Sequence, residues 1–228
     1  VSGCNSHDAL LIYLCGPKEQ HMTFYKYHGT GNDFILIDNR DGNLSFTTEQ
    51  VALLCDRHFG IGADGLMLLE QAADYDFRMV YYNSDGREST MCGNGGRCMT
   101  AFAQSLGIIN REANFWAIDG PHHASIAEDG MISLHMQDVA EVTVHEGYVT
   151  LNTGSPHCVI FTDDVDGIDV FHEGKRVRNL HQFQPGGTNV NFVQIADSKL
   201  KVRTYERGVE DETLSCGTGV TAAAIAAS

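Results

Sequence analysis

Residues 92–107 read CGNGGRCMTAFAQSLG and residues 216–228 read CGTGVTAAAIAAS. Each begins with cysteine, glycine, a small polar residue and glycine, then runs into small and apolar side chains that favour a helix. The stretches before them share a plan. Ahead of the first, TFYKYH (23–28) and FILID (34–38) read as strands about the glycine turn GTGND. TTEQVALLCDRHF (47–59) follows as a helix that Thr47 or Thr48 can cap, with Val51, Leu54, Cys55 and His58 at helical spacing. GLMLLE (65–70) and DFRMVYYN (76–83) are the next strands. A helix is expected over 95–107, stopping at Gly107. Ahead of the second stretch come the strand-like runs ANFWAI, ISLHM, YVTLN, HCVIF, TNVNFVQI and KLKVRTYE. Each half is a set of strands followed by a Cys-Gly turn that opens a helix. The sequence therefore predicts a duplicated architecture, an N-terminal half at 22–137 carrying Cys92 and a C-terminal half at 138–228 carrying Cys216. Both helices are apolar nearly all round, which predicts that they lie buried inside their sheets.

Composition narrows the function classes. The 228 residues are 43% hydrophobic and 20% charged, ordinary for a globular protein with a buried core. With 15 Lys and Arg against 30 Asp and Glu, the formal charge is −15. Nucleic-acid binding needs a cationic face, so it is disfavoured. The longest apolar run, ALLIYLC at 9–15, is too short to span a membrane. It lies in a leader, residues 1–21, that lacks the basic start and cleavage site of a secretory signal. That leader is expected to be an upstream extension outside the fold, with Met22 as the native start. At the other end the chain stops at Ser228 within an apolar helix, so a C-terminal truncation is expected.

Seven cysteines (4, 15, 55, 92, 98, 158 and 216) form an odd set without a CxxC pair, which favours a reducing compartment over a disulfide scaffold. Scattered histidines give no tight Cys/His ligand cluster, so no metal is expected. Cysteine is among the most buried residue types, and a core role is the expectation for Cys55, Cys98 and Cys158. Cys92 and Cys216 differ because glycines accompany them twice. A helix N-terminus lowers a thiol pKa and offers amides to an anion. Two such motifs acting together would grip one carboxylate and place a sulfur on each face of the adjacent carbon. That suits proton removal from one face and delivery to the other, with the amides stabilising the carbanion's charge and no cofactor required.

The chain resembles the diaminopimelate epimerase family. The matching segments are KYHGTGNDFILID (26–38), RHFGIGADGL (57–66), NSDGRESTMCGNGGRC (83–98), GSPHCVIF (154–161), GGTNVNFVQ (186–194) and YERGVEDETLSCGTGVTAA (205–223), in the family's order. The resemblance implies an α/β (α+β) fold of two pseudo-symmetric barrel-like sheets, each around a central helix, with the substrate in a cleft between them. It implies Cys92 and Cys216 as the two catalytic acid–base cysteines. Gly93, Asn94, Gly217 and Thr218 match the groups that hold the reacting carboxylate. Asn32, Asn83, Asn189 and Arg207 match those that hold the far end of the substrate, and Arg and Asn suit a zwitterion. Glu206 matches a residue facing the substrate amine, and His157 and Glu206 match groups that tune the cysteines. Ser155 belongs to the substrate set, standing where many members carry Asn. Gly65 replaces a glutamine of some members, so no site is carried there, and the run to Cys216 is one residue longer than the common form around Glu210 and Asp211.

The activity so implied is interconversion of LL- and meso-2,6-diaminopimelate, cofactor-independent and cytoplasmic, serving lysine and peptidoglycan synthesis. A homodimer stays open, and neither nucleic acid nor membrane is expected as a partner. A proline racemase-like or hydroxyproline epimerase would share the two thiols without needing the distal Asn/Arg set. An inactive binding protein on the same scaffold would not need both cysteines. A nucleotide site fails, because neither GxGxxG nor GxxxxGK[ST] follows a strand.

Overall fold

The computed structural model describes residues 7–14, 20–89 and 91–228, so Cys4 and Cys15 lie outside the described residues. The chain divides into two compact units, one ending at His135 and the other starting at Met136. The first unit holds an eight-stranded sheet whose strands lie in sequence order. They are β1 (His7–Leu14), β2 (Gln20–Gly29), β3 (Asn32–Asp38), β4 (Gly65–Glu70), β5 (Phe77–Asn83), β6 (Glu112–Ala117), β7 (Gly120–Ile126) and β8 (Ile132–Leu134). β3 runs parallel to β4, and β5 parallel to β6. Helices α1 (Thr48–Cys55) and α2 (Gly93–Ser105) make these two crossovers, as parallel neighbours require. The leader was expected outside the fold. Its residues His7–Leu14 instead form β1, paired antiparallel with β2 from Leu14↔Gln20 to His7↔Lys26, because β2 would otherwise leave an edge of unpaired backbone.

The apolar runs of β3 and β4 are explained by burial on both faces. Phe34, Leu36, Met67 and Leu69 pack with Met99 and Phe102 of α2, whereas Ile35, Ile37, Leu66 and Leu68 pack with Val51 and Leu54 of α1. Alternation thus assigns each strand position to one helix or the other. By the same parity Asn32 and Asn83 belong to the α2 face.

α1 is shorter than the expected 47–59. Thr47 caps it, its hydroxyl accepting from the Gln50 amide while the Gln50 side chain accepts from the Thr47 amide. Asp56 then turns extended, and its carboxylate accepts from the backbone N–H of His58 and Phe59 at 2.8 and 2.7 Å, which ends the helix before His58. α2 begins two residues earlier than expected, with Cys92 itself as N-cap, and Gly107 follows at φ 71°.

The second unit holds a six-stranded sheet in the order β14-β13-β12-β11-β10-β9. These are β9 (Val142–His145), β10 (Tyr148–Asn152), β11 (Pro156–Phe161), β12 (Asn189–Ala196), β13 (Lys199–Glu206) and β14 (Asp211–Thr213). Only β11 and β12 pair in parallel, linked through α3 (Val170–Arg178). Sequence periodicity does not reveal α3, since VFHEGKRVR is strongly polar and carries an interior glycine. Asp169 caps it by accepting from the His172 amide. Gly174 is required by packing: a Cβ there would sit 2.3 Å from the Tyr205 Cβ.

The two units repeat one topology. In each, an antiparallel hairpin leads through a helix to a parallel strand, then an antiparallel strand, then a helix capped by cysteine. β2-β3-α1-β4-β5-α2 corresponds to β10-β11-α3-β12-β13-α4, where α4 is Gly217–Ala226. α2 is enclosed as far as Ala103, with Gln104 and Ser105 exposed in its last turn, whereas α4 is covered on one side. Ala222 and Ala223 of α4 are buried against Val149, Leu151, Val159 and Val193, and Gly219 is buried beside Asn191, while Val220 is 48% exposed. One sheet face covers one side of that helix.

Candidate active site

Two clusters of polar side chains occur at corresponding places, each at the strand ends beside the start of a cysteine-capped helix. In the first unit the turn Thr30-Gly31, with φ of 56° and 87°, reverses the chain between β2 and β3 and delivers Asn32. Asn32 donates from Nδ2 to Asp64 Oδ2 at 2.8 Å, which fixes its amide orientation. Asp64 is itself held by Arg57 at 2.8 Å, and Arg57 and Lys26 both pair with Asp33. Burial acts to raise the Asp33 pKa, but these two cations hold it down at about 2. The remaining Asn32 oxygen, Oδ1, faces the Cys92 sulfur at 3.6 Å and Asn94 Nδ2 at 3.5 Å. Cys92 is half-buried, and its side chain makes no capping bond to its own helix. Asn94 is 2% exposed and accepts from Arg97 and from the Thr30 hydroxyl. Asn83 ends β5 opposite Gly65. Gly65 has no room for a side chain, because a Cβ would meet the Tyr81 ring and the Tyr82 carbonyl at 2.6 Å.

In the second unit Cys216 caps α4 and is 7% exposed. Its sulfur lies 3.4 Å from the Thr218 hydroxyl. That hydroxyl stands 2.9 Å from His157 Nε2 and 3.3 Å from Ser155 Oγ. Asn189, first residue of β12, donates to Ser155 Oγ and to the Pro156 carbonyl at 3.0 Å, and accepts from the Arg207 amide at 2.9 Å. Ser155 thus carries the hydrogen bonding of its position despite being shorter than asparagine. His157 is 1% exposed, and burial lowers its pKa to about 4, so it is neutral at physiological pH. Glu206 ends β13 on the same face as Thr204, and Arg207 follows it. Glu210 is not in the cluster: it pairs with Arg178 at 2.9 Å and accepts from the Tyr205 hydroxyl.

The sequence-derived residues therefore fall into two groups. Asn32, Asn83, Cys92, Gly93 and Asn94 belong to the first unit. Ser155, His157, Asn189, Glu206, Arg207, Cys216, Gly217 and Thr218 belong to the second. Sequence reasoning missed Asn191, Thr204 and Thr153. Asn191 is fully buried, donates to His157 Nδ1 at 3.0 Å and to the Cys158 carbonyl at 3.2 Å, and accepts from Thr204. Thr153 donates to the Thr218 carbonyl at 2.9 Å. The signal for Asn191 was available in TNVNFVQI, where strand alternation puts it on the face of Asn189.

Chemically, each cluster offers a sulfur beside a helix start. First-turn amides have no intrahelical acceptor and can bind an anion. The other cysteines differ in kind. Cys55, Cys98 and Cys158 are buried, and burial pushes Cys55 up to about 11 and Cys158 up to about 12. Among the described residues no group of His, Cys, Asp or Glu is placed to hold a metal ion, and no helix is long and apolar enough to cross a membrane.

The comparisons with known proteins fit this duplicated arrangement. The family model "Diaminopimelate epimerase" matches residues 24–143 and 149–228. A diaminopimelate epimerase of Flavobacterium psychrophilum is 58% identical over 209 residues, covering 90% of this chain and 81% of that protein. One from Chlorobaculum tepidum is 45% identical over 207 residues, covering 86% and 80%. Among solved structures, a phenazine biosynthesis protein of the PhzF family from Bacillus anthracis superposes with a TM-score of 0.65 at 12% identity, covering 95% of this chain and 78% of that one, which shows the shared fold. The chain belongs to the diaminopimelate epimerase family.

Proposed function

We propose that this protein is an isomerase that interconverts LL- and meso-2,6-diaminopimelate through a two-base mechanism on Cys92 and Cys216. One sulfur, as thiolate, removes the α-proton; the other, as thiol, delivers a proton to the opposite face. The amides of Gly93–Asn94 and Gly217–Thr218 hold the reacting carboxylate and stabilise the charge that grows there as the α-carbon becomes a carbanion. Asn32, Asn83, Ser155, Asn189 and Arg207 hold the rest of the substrate, Glu206 meets an amine, and His157 and Glu206 tune the thiols. The two cysteines supply the acid and the base and the helix-start amides supply the anion stabilisation, so no cofactor takes part. The step serves lysine and peptidoglycan synthesis in the cytoplasm.

The observation that supports this reading most strongly is the repetition of a cysteine-capped helix, with polar residues at its start, in both topologically equivalent units. Relatives 58% and 45% identical that are diaminopimelate epimerases favour diaminopimelate over proline. The test is deuterium uptake at the α-carbon of diaminopimelate and of proline, offered separately in D2O. Uptake into diaminopimelate is expected; uptake into proline alone would overturn the substrate assignment.

A further inference from the structure

Behind Cys216, donor and acceptor chemistry fixes the direction of the hydrogen bonds made by Asn191, His157 and Asn189. A backbone carbonyl only accepts, so the Asn191 atom beside the Cys158 carbonyl is the amide nitrogen. The same nitrogen meets His157 Nδ1, while Asn191 Oδ1 accepts from the Thr204 hydroxyl at 3.0 Å. His157 Nδ1 is therefore an acceptor, and in the neutral ring the proton sits on Nε2. That proton points at Thr218 Oγ1, 2.9 Å away, with Ser155 Oγ at 3.0 Å. The amide of Asn189 is fixed in the same way, by the Pro156 carbonyl and the Arg207 N–H, so it donates to Ser155 Oγ. Ser155 Oγ, with one acceptor site filled by Asn189, keeps its hydroxyl proton for donation, and Thr218 Oγ1 is within reach at 3.3 Å. With Ser155 as the donor of that bond, Thr218 Oγ1 accepts from His157 and from Ser155 and turns its hydroxyl proton to the Cys216 sulfur at 3.4 Å.

The arrangement at Cys92 has the opposite sense. Asp64 takes the Asn32 amide nitrogen, so the Cys92 sulfur faces the carbonyl oxygen of Asn32, an acceptor to which an S–H can donate. A donor aimed at sulfur favours thiolate, and an acceptor favours thiol.

We propose that Asn191 is a positioning residue that locks His157 in the Nε2–H tautomer, so that two hydrogen-bond chains converge on Thr218 and make Cys216 the thiolate of the unliganded protein, with Cys92 the thiol. This rests on the reading of Cys92 and Cys216 as the acid–base pair. On the α4 face of the sheet the ionisable groups are His157 of β11, Glu206 of β13 and its cross-strand partner Asp211 of β14, a second anion, with Arg207 following. Neutral His157 adds no charge; Glu206 opposes a thiolate and Arg207 favours one. The proton on Nε2 and the direction of the Thr218 hydroxyl set the order between the two sulfurs.

The experiment follows alkylation of the unliganded 228-residue chain by iodoacetamide between pH 6 and 9, with the peptides carrying Cys92 and Cys216 resolved by mass spectrometry. The pH midpoint reports ionisation independently of how accessible each sulfur is. Cys216 is expected to show the lower midpoint. Thr218→Val should slow its alkylation about tenfold at pH 7, since a hydrogen bond to a charged group is lost. Thr218→Ser should restore it, and neither change should move Cys92. Nitrogen-15 NMR of His157 in the unmodified chain is expected to show the Nε2–H tautomer, and Asn191→Leu should lose that preference. A lower midpoint at Cys92, an unchanged Cys216 in Thr218→Val, or an Nδ1–H tautomer in the unmodified chain would each overturn the proposal. If Asn191→Leu does not fold, the tautomer of the unmodified chain and Thr218→Val still decide. None of these readouts involves turnover, so failure here is separable from failure of the epimerase reading.

Discussion

Gly219→Ala is a one-methyl perturbation whose cost should appear in catalysis more than in stability. A Cβ at this position would lie 2.4 Å from Asn191 Oδ1, 3.2 Å from the Cys216 Cβ and 3.3 Å from its sulfur. Asn191 cannot swing aside cheaply, because its amide is bonded to His157, the Cys158 carbonyl and Thr204. Reaching the ~3.5 Å at which non-bonded atoms sit comfortably needs a shift of roughly 1 Å between the α4 start and β12. Overpacking of this kind costs about 1–3 kcal/mol, and replacing a helical glycine by alanine returns about 0.5–1 kcal/mol. Net destabilisation is then about 0–2.5 kcal/mol, small enough for the chain to stay folded. A displacement of about 1 Å at a reacting group costs on the order of 100-fold in rate. The assay is epimerisation of LL-diaminopimelate followed by chiral chromatography, paired with urea unfolding of the same sample. A variant with full kcat and unaltered stability would refute the claim that this contact sets the position of Cys216.

Cys92→Ser and Cys216→Ser should each lower epimerisation by at least ~100-fold, and near-normal turnover in either would sink the two-thiol mechanism. Stability should depend on pH through His157. Its folded pKa of about 4 lies below the unfolded 6.5, so the unfolded chain binds more protons between these values. Stability is full above pH 6.5, is down by about 2 kcal/mol at pH 5 and goes on falling to about pH 4. His157→Gln should flatten that slope, and an identical slope in the variant would show another group is responsible. Asp33 acts in a lower window, its contribution disappearing as pH falls from 3.8 toward 2. Gly174→Ala forces a methyl onto Tyr205 and should cost about 1–3 kcal/mol in urea unfolding, and an unchanged midpoint would mean α3 can move off β13 freely.

Much of the fold was legible because strand parity and glycine placement carry it. The runs FILID and GLMLLE were legible as strands, and the Cys-Gly repeats marked α2 and α4, each of which starts inside the repeat at the residue after cysteine. α3 escaped because its helical character comes from the Asp169 cap and the fit of Gly174 against Tyr205, and neither leaves a periodic apolar signal. β1 escaped because its role is to cover the edge of β2, a need that exists only once the sheet is formed. At the candidate site, cysteines and glycines stand in local motifs and were read directly. Asn191 and Thr204 were not, since their place behind His157 depends on the register Asn191↔Thr204 between β12 and β13. Asp64 likewise acts across β3 on Asn32, a pairing of two distant chain segments.

The most direct test of the two-base reaction is epimerisation of protiated LL-diaminopimelate in D2O, stopped before the first tenth of conversion and read by mass and NMR. Two thiols acting on opposite faces predict that the new meso product carries solvent deuterium at its inverted α-carbon while the remaining LL substrate stays protiated. Product that retains the substrate's own α-proton, or LL substrate that exchanges as fast as product forms, would contradict the assignment of separate acid and base to Cys92 and Cys216.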